Sequence, residues 1–513
     1  MNRLFLLFFC LLPSLAWTES YDTESRVVAF GDVHGAYASL IELLQGTQII
    51  DQAGHWRAGK THLVSVGDLL DRGPESKAVM DLLMRLQNEA VAAGGRVHVL
   101  VGNHELMNLG RDLRDVSAEE LAAVGGREGH RQAFSETGIY GKWLRTLPVV
   151  VRINDTLFSH GGFSSQSLKP LNELNREFWQ AFGRVEFEGD RLQKSGLLSP
   201  DQSLLDASAY QEALPETHIA WQKATAASEL GPQSLVWYRG NTACHPLLEM
   251  NSVATILSYH GVGRLVVGHT PTSSREIEGY LDNQVFAIDT GMLASVYRGQ
   301  PRALEIRTES GETVLSVLKP TGEVIPPIGR EGRRARAHAE LQSEYEFIEM
   351  SKKAAKKARA AFLLSEHLDM NMVLPTKVVD KGIHRVKARL LSERTRQEKN
   401  LYRPNHCETG SDFDLLAVFD SLIGKVDRTL DNLTYDRRDW RIRALENANA
   451  FPTSSKLPVY SKPPRLAAAG FRNDLLELSE TNLAELLGDL LTTKEIKAIL
   501  KRRDKILQWA SNE

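Results

Sequence analysis

Six short apolar runs in this chain each stop at Asp, Asn or His beside a glycine, and that repeated ending most limits what it can fold into. Arg26-Val27-Val28-Ala29-Phe30 runs into Gly31-Asp32-Val33-His34-Gly35. His62-Leu63-Val64-Ser65-Val66 runs into Gly67-Asp68-Leu69-Leu70-Asp71-Arg72-Gly73, and Val97-His98-Val99-Leu100-Val101 into Gly102-Asn103-His104-Glu105. Thr156-Leu157-Phe158 meets Ser159-His160-Gly161-Gly162, Arg264-Leu265-Val266-Val267 meets Gly268-His269-Thr270, and Val285-Phe286-Ala287-Ile288 meets Asp289-Thr290-Gly291. The runs predict strands. Between them, Tyr37 to Leu44 and Pro74 to Asn88 carry helical periodicity, with Val79, Leu82, Leu83 and Leu86 on one side of the second. Strands mixed with helices give an α/β (α+β) class, whose strand-end loops are where sites are built.

Any one such pair could serve a turn, since Asp, Asn and Gly are turn residues. Six pairs that also bring histidines exceed what turns need. Asp32, His34, Asp68, Asn103, His160 and His269 offer carboxylate, imidazole and amide groups and no thiolate. Mixed N/O ligation suits Mn²⁺, Fe or Zn²⁺ and argues against a Cys-rich structural zinc. Six ligands are too many for one tetrahedral ion and fit two divalent ions sharing a carboxylate. Two metals about 3.5–4 Å apart are a usual apparatus for phosphate ester hydrolysis.

The motifs D-x-H-G, G-D-x-x-D-R-G, G-N-H-E, a strand ending in H-G-G, and G-H-T resemble the calcineurin-like metallophosphoesterases, in order from about residue 25 to 307. The D-R-G and G-N-H-E elements point to the phosphoprotein phosphatase branch. Leu235-Val236-Trp237-Tyr238-Arg239-Gly240 and Asp289-Thr290-Gly291 resemble the bacterial-type members known as Shewanella-like protein phosphatases. The resemblance implies a central two-sheet β-sandwich flanked by helices. It implies Asp32, His34 and Asp68 on one metal, Asp68 bridging, and Asn103, His160 and His269 on the other. A metal-bridging hydroxide would attack phosphorus, His104 would protonate the leaving oxygen, and Asp71 would orient His104. Arg72 and Arg239 would hold the phosphoryl oxygens. These roles suit the chemistry, because charge develops on the phosphoryl oxygens and arginine presents a planar fork to them. Tyr238 and Tyr297 read as core or cleft residues, and His98, His245 and His260 as structural.

Between the His160 and Trp237 segments lies a polar, helix-leaning insertion, Ser164 to Gln233, expected over the mouth of the site, where loops commonly set substrate choice. The phosphoesterase unit is expected to span 25–320, followed by a Pro- and Gly-rich linker over 321–330. Residues 331–513 read as a second, mainly helical domain. Its basic run at Lys352-Lys353, Lys356-Lys357 and Arg359 reads as a solvated helix face among acidic neighbours. Asp427-Arg428-Thr429-Leu430-Asp431-Asn432 resembles a kinase D-x-x-x-x-N catalytic loop. Glu446 stands where such kinases place a metal-binding Asp, and no glycine-rich phosphate loop precedes it, so the resemblance implies a degenerate, inactive kinase-like domain.

Residues 1–16 read as a signal peptide: a basic start at Asn2-Arg3, an apolar Leu4 to Leu15, and cleavage after Ala16. That predicts export, to a periplasm or outside the cell, with no stable membrane insertion. Net charge of −3 gives no case for nucleic acid. Cys244 and Cys407, left after the signal departs, read as free, partly buried thiols. The function expected is a metal-dependent phosphatase for phosphomonoesters, phosphoproteins (Ser/Thr or Tyr) foremost. The alternatives are a dinucleoside polyphosphate or other small-molecule phosphohydrolase, and a scaffold binding a protein partner through the C-terminal domain.

Overall fold

The computed structural model describes residues 19–206, 216–333, 345–386, 390–392, 409–436, 441–458 and 469–509. The expected signal segment therefore lies outside the described residues. The chain begins with β1 (Ser20–Tyr21), β2 (Val27–Phe30), α1 (Tyr37–Gly46), β3 (His62–Ser65), α2 (Ser76–Ala92), β4 (Arg96–Val99) and α3 (Asn103–Leu109). Three short helices follow, α4 (Ala118–Ala123), α5 (Gly126–Ala133) and α6 (Ile139–Leu144), then the hairpin β5 (Val150–Ile153) and β6 (Thr156–Ser159). The next helices are α7 (Leu171–Lys194), α8 (Ile219–Thr225), α9 (Gly240–Ala243) and α10 (Pro246–His260). The unit closes with β7 (Arg264–Val267), β8 (Glu278–Tyr280), β9 (Val285–Ala287), α11 (Ala294–Tyr297), β10 (Ala303–Glu309), β11 (Glu312–Leu318) and β12 (Val324–Ile325).

Two six-stranded sheets result, ordered β1-β5-β6-β7-β9-β8 and β12-β11-β10-β2-β3-β4. Both faces of each central strand are buried, which is why these runs are continuously apolar rather than alternating. Val27 and Ala29 of β2, Val64 of β3, Phe158 of β6 and Val266 of β7 meet in a core between the sheets. Their neighbours Val28, Phe30, Leu63, Leu157, Leu265 and Val267 turn outward to a core shared with the helices, including Leu40, Leu83 and Phe182. This is the expected two-sheet sandwich. In one sheet β2, β3 and β4 run parallel. In the other β6, β7 and β9 do. The carboxyl ends of these parallel neighbours carry all six expected ligands, so the topology gathers them.

The linker expectation is corrected. Residues 321–330 are tied to both sheets: Val324 and Ile325 pair with β11, and Ile328 exchanges backbone hydrogen bonds with Ile277 and Gly279 beside β8. The Pro and Gly there serve a turn and an edge, where prolines are tolerated.

The insertion lays α7 along the sandwich rather than above it. Leu174, Phe178, Phe182 and Val185 join the outer core, and Asn175 Oδ1 accepts from Val149 and Val150 N–H at 2.7 and 3.2 Å.

Beyond residue 344 the described chain is helical, with Lys352–His367, Thr409–Ile423, Ala469–Glu477, Glu480–Leu487 and Thr493–Trp509, and it also holds two three-stranded sheets. The strand Tyr345–Glu349 opens this described part. Phe419, Phe451, Phe471, Leu483 and Ile499 center its own core, which Leu247 of α10 joins. The basic run is not simply solvated. Lys357 pairs with Glu495 at 3.4 Å, and Lys356 donates to the Asp489 carbonyl at 2.7 Å. Of the kinase-like stretch, Arg428 is pinned by Asp420 and by Asn447 Oδ1 at 2.9 Å. Among the described residues no helix is long and apolar enough to cross a membrane.

Cys244, which follows α9, is disulfide-bonded, correcting the free-thiol expectation; Cys10 and Cys407 lie outside the described residues.

Candidate metal centre and active site

The strand ends bend sharply to form the site. His34, Asp68, Asp71, Arg72 and His269 all sit at positive φ, between 49° and 70°. Non-glycine residues seldom occupy this region, and such strain concentrates where surrounding structure holds a functional geometry. Gly268 allows the approach from the opposite sheet: a Cβ there would lie 2.5 Å from Asp32 Oδ1.

All six ligand candidates are buried. His34 Nδ1 lies 2.8 Å from the Leu70 carbonyl and His160 Nδ1 3.0 Å from the Val66 carbonyl. Donation to these carbonyls leaves each Nε2 as a lone pair. Around His160 Nε2 lie Asn103 Oδ1 at 3.0 Å, His269 Nδ1 at 3.1 Å and Asp68 Oδ1 at 3.2 Å. On the other side His34 Nε2 lies 3.7 Å from Asp68 Oδ2 and 3.9 Å from Asp32 Oδ2. Two ligand groups thus form, one on His34 and one on His160 and His269, with Asp68 common to both. His160 Nε2, Asn103 Oδ1, His269 Nδ1 and Asp68 Oδ1 crowd together as lone-pair atoms, a set that a cation between them would satisfy. His269 Nε2 is also buried with no hydrogen-bond partner among the described residues. The residues therefore fit divalent metals.

The electrostatics agree. Burial lowers His34 to about 3, and burial, with Arg239 and His160 nearby, pushes His269 well below its usual range. Both imidazoles stay neutral, as ligands must. Burial works to raise Asp68, but His160, His104 and His34 outweigh it and hold the carboxyl well below its usual range. Burial raises Asp32, helped by Asp289 and Asp68.

Beside the ligands stands an acid pair. His104 Nδ1 lies 2.6 Å from Asp71 Oδ2. Burial would lower His104, but Asp68 and Asp71 together raise it, favouring the protonated form. Its Nε2 faces Asp68 Oδ2 and Asp115 Oδ2, each 3.9 Å away. Arg72 reaches His34 Nε2 at 2.8 Å and bonds the Tyr297 hydroxyl. Arg239 bonds the His269 carbonyl and Thr270 Oγ1, and its charge senses Asp32, Asp68 and Asp289. The structure thus brings Asp71, His104, Arg72 and Arg239 to the ligand cluster, as expected.

Several participants were not assigned from sequence. Glu105 accepts from the N–H groups of Asp68 (2.8 Å), Leu69 (2.8 Å) and Gly102 (2.7 Å), tying two strand-end loops together. Its place in G-N-H-E was the available signal. Tyr297 stacks on His34 at 5.5 Å, so it belongs to the cleft. Trp237 meets His269 edge-on at 5.7 Å and borders a cavity of about 410 Å³ with Leu106, Met107, Leu205 and Leu230. Tyr238 instead bonds buried Glu249 at 2.8 Å. His98, His245 and His260 are structural: they contact His62 at 3.1 Å, the Met370 carbonyl at 2.6 Å and the Ser167 carbonyl at 2.9 Å.

The family model for the calcineurin-like phosphoesterases matches residues 25–273. The chain is 29% identical over 282 residues to Shewanella-like protein phosphatase 1 of Plasmodium berghei, covering 54% of this chain and 70% of that one. It is 27% identical over 323 residues to Shewanella-like protein phosphatase 2 of Arabidopsis thaliana, covering 58% and 78%. A solved cold-active protein-tyrosine phosphatase of a psychrophilic Shewanella species is 28% identical over 60% of this chain and 81% of that one, with a TM-score of 0.46. Residues 25–273 thus form a calcineurin-like metallophosphoesterase domain, and these relatives support a phosphatase-type hydrolase.

Proposed function

We propose that this metallophosphoesterase is an exported phosphatase that removes phosphoryl groups from phosphoproteins, using two divalent ions, manganese or else iron or zinc. The observation that carries the reading is the shared carboxylate. Asp68 faces His34 at 3.7 Å on one side and His160 at 3.2 Å on the other, with the His104–Asp71 pair adjacent. Asp32, His34 and Asp68 would hold one ion, and Asp68, Asn103, His160 and His269 the other. Bound divalent ions supply Lewis acidity to the phosphoryl oxygens and a water reactive near neutral pH. The protein's side chains supply the rest. Arg72 and Arg239 offer planar donors to the phosphoryl oxygens as charge builds there. His104, protonated and held by Asp71, delivers its proton from Nε2 to the departing oxygen. The cavity beside Trp237, which itself meets His269 edge-on, takes Leu205 and Leu230 of the insertion into its wall and supports a part for the insertion in substrate choice. Export rests on the sequence of residues 1–16 alone.

The test is an assay of the mature chain with Mn²⁺ against p-nitrophenyl phosphate, phosphoserine and phosphotyrosine peptides and diadenosine tetraphosphate, with Asp68→Asn as control. Metal-dependent release from peptides is expected. Metal-independent turnover, or an Asp68→Asn variant as active as wild type, would sink the reading. A strong preference for diadenosine tetraphosphate would replace phosphoproteins by small phosphoanhydrides.

A further inference from the structure

The His104–Asp71 pair does not end at Asp71. Asp71 Oδ1, the oxygen not facing His104, accepts from Asn108 Nδ2 at 2.8 Å. The same amide nitrogen donates to the His104 carbonyl at 2.9 Å, so both its hydrogens are committed. Asn108 Oδ1 in turn lies 2.7 Å from His130 Nε2. Every member is buried, with Asp71 and Asn108 at 0% exposure, His104 at 1% and His130 at 2%. The chain crosses three elements. Asn108 stands one turn beyond His104 on α3, Asp71 sits in the loop after β3, and His130 comes from α5.

An amide can be placed two ways round; the acceptors Asp71 Oδ1 and His104 carbonyl select one, and His130 then holds it by donating from Nε2. With the amide flipped, Asn108 Oδ1 would face Asp71 Oδ1 and the His104 carbonyl, acceptor against acceptor. Its NH₂ would then meet the His130 N–H, donor against donor. The His130 ring is itself fixed, stacked on Phe134 at 4.2 Å and 13°. Burial lowers this imidazole to about 4, so it stays neutral with one ring proton to give. Asp71 then has both oxygens anchored, and its plane sets the direction of His104 Nε2. Without Asn108 the carboxylate is free to turn about its last torsion, a broad and soft one.

We infer that Asn108 and His130 are positioning residues for the general acid, forming a buried His130–Asn108–Asp71–His104 chain that aims His104 Nε2 at the leaving oxygen. The inference rests on the proposed phosphomonoester hydrolysis with His104 as acid. Its signature is dependence on the leaving group. A p-nitrophenolate departs without a proton, whereas a serine alkoxide requires one.

The experiment uses the full chain with Mn²⁺ and compares p-nitrophenyl phosphate with a phosphoserine peptide in wild type, Asn108→Leu, His130→Phe and His130→Gln. For Asn108→Leu and His130→Phe, kcat on the phosphopeptide is expected to fall about 10–100-fold with KM nearly unchanged. On p-nitrophenyl phosphate kcat is expected to fall less than about 3-fold. His130→Gln keeps an N–H at similar reach and is expected to recover most of the loss. In a His104→Ala background, Asn108→Leu is expected to add no further loss on the peptide. Equal losses on both substrates, a change confined to KM, or full additivity with His104→Ala would overturn the chain. If Asn108→Leu does not fold, His130→Phe against His130→Gln carries the same comparison. A wild type without metal-dependent turnover would instead overturn the proposed function.

Discussion

Replacing Gly102 by alanine isolates how tightly the shared ligand is held. Gly102 has φ −97° and ψ −179°, a conformation open to any residue, so backbone strain plays no part. The added methyl would lie 2.3 Å from Asp68 Oδ1, 2.6 Å from Asp68 N and 2.8 Å from Glu105 Oε2. None of these can swing away: Oδ1 holds the His104 N–H at 3.0 Å, and Glu105 spans three backbone donors. To restore even a 3.0 Å contact, Asp68 Oδ1 must retreat by at least about 0.7 Å. Overpacking of this kind costs roughly 1–3 kcal/mol, and a domain this size loses about 2–4 °C of Tm per kcal/mol. The catalytic loss should be larger, since a 1 Å misplacement can cost about 10²-fold. The expected result is kcat reduced roughly 10–100-fold, weaker Mn²⁺ activation and a modest fall in Tm. Steady-state kinetics across a Mn²⁺ titration, with thermal melts alongside, read all three. Wild-type kcat and Mn²⁺ dependence in Gly102→Ala would refute the claim that close backbone approach fixes Asp68.

Four further outcomes are expected. Metal removal by a chelator should lower Tm, and Mn²⁺ at about 100 times its Kd should restore roughly 2.7 kcal/mol, read by melts. Burial holds the Glu120 carboxyl at about 7, and its Oε2 has no partner among the described residues. The folded state therefore binds a proton more tightly than the unfolded one, and stability should fall by up to about 3 kcal/mol as pH rises from 4.5 to 7. Glu120→Gln should flatten that slope in pH-dependent melts, and an unchanged slope refutes it. Cys244 should resist alkylation in the folded, non-reduced protein and react after reduction, and labelling before reduction counts against the disulfide. Mass spectrometry of the protein from its native host should find Trp17 at the mature N-terminus, and an intact Met1 refutes the signal reading.

The ligand set was legible in the sequence because each ligand follows directly on an apolar run, so local pattern alone placed it at a strand end. Arg72, His104 and Asp71 were legible for the same reason, lying inside those strand-end loops. What pattern could not reach were partners set by the meeting of distant elements. Tyr297 joins Arg72 across 225 residues, and sequence left it open between core and cleft. Asn108 and His130 read as ordinary helix polars until α3 and α5 pack together. Residues 321–330 look like a linker by composition, since an edge strand of two residues leaves almost no periodicity. The helix Lys352–His367 shows the converse: Lys356 and Lys357 look solvated in sequence but reach the Asp489 carbonyl and the Glu495 carboxylate.

The long-range pairings also set an order of events during synthesis. Asp32 Oδ1 accepts from the His269 N–H across 237 residues, and β2 finds its second neighbour only when β10 exists, pairing Val27 with Ile306. At about 5–20 residues per second, His269 emerges roughly 12–47 s after Asp32. Until His269 emerges, the four candidate ligands of the first sheet, joined only by His160, lack their last companion, and a cation caught early would be weakly held. A site that joins all six candidate ligands therefore exists only once the sandwich has closed.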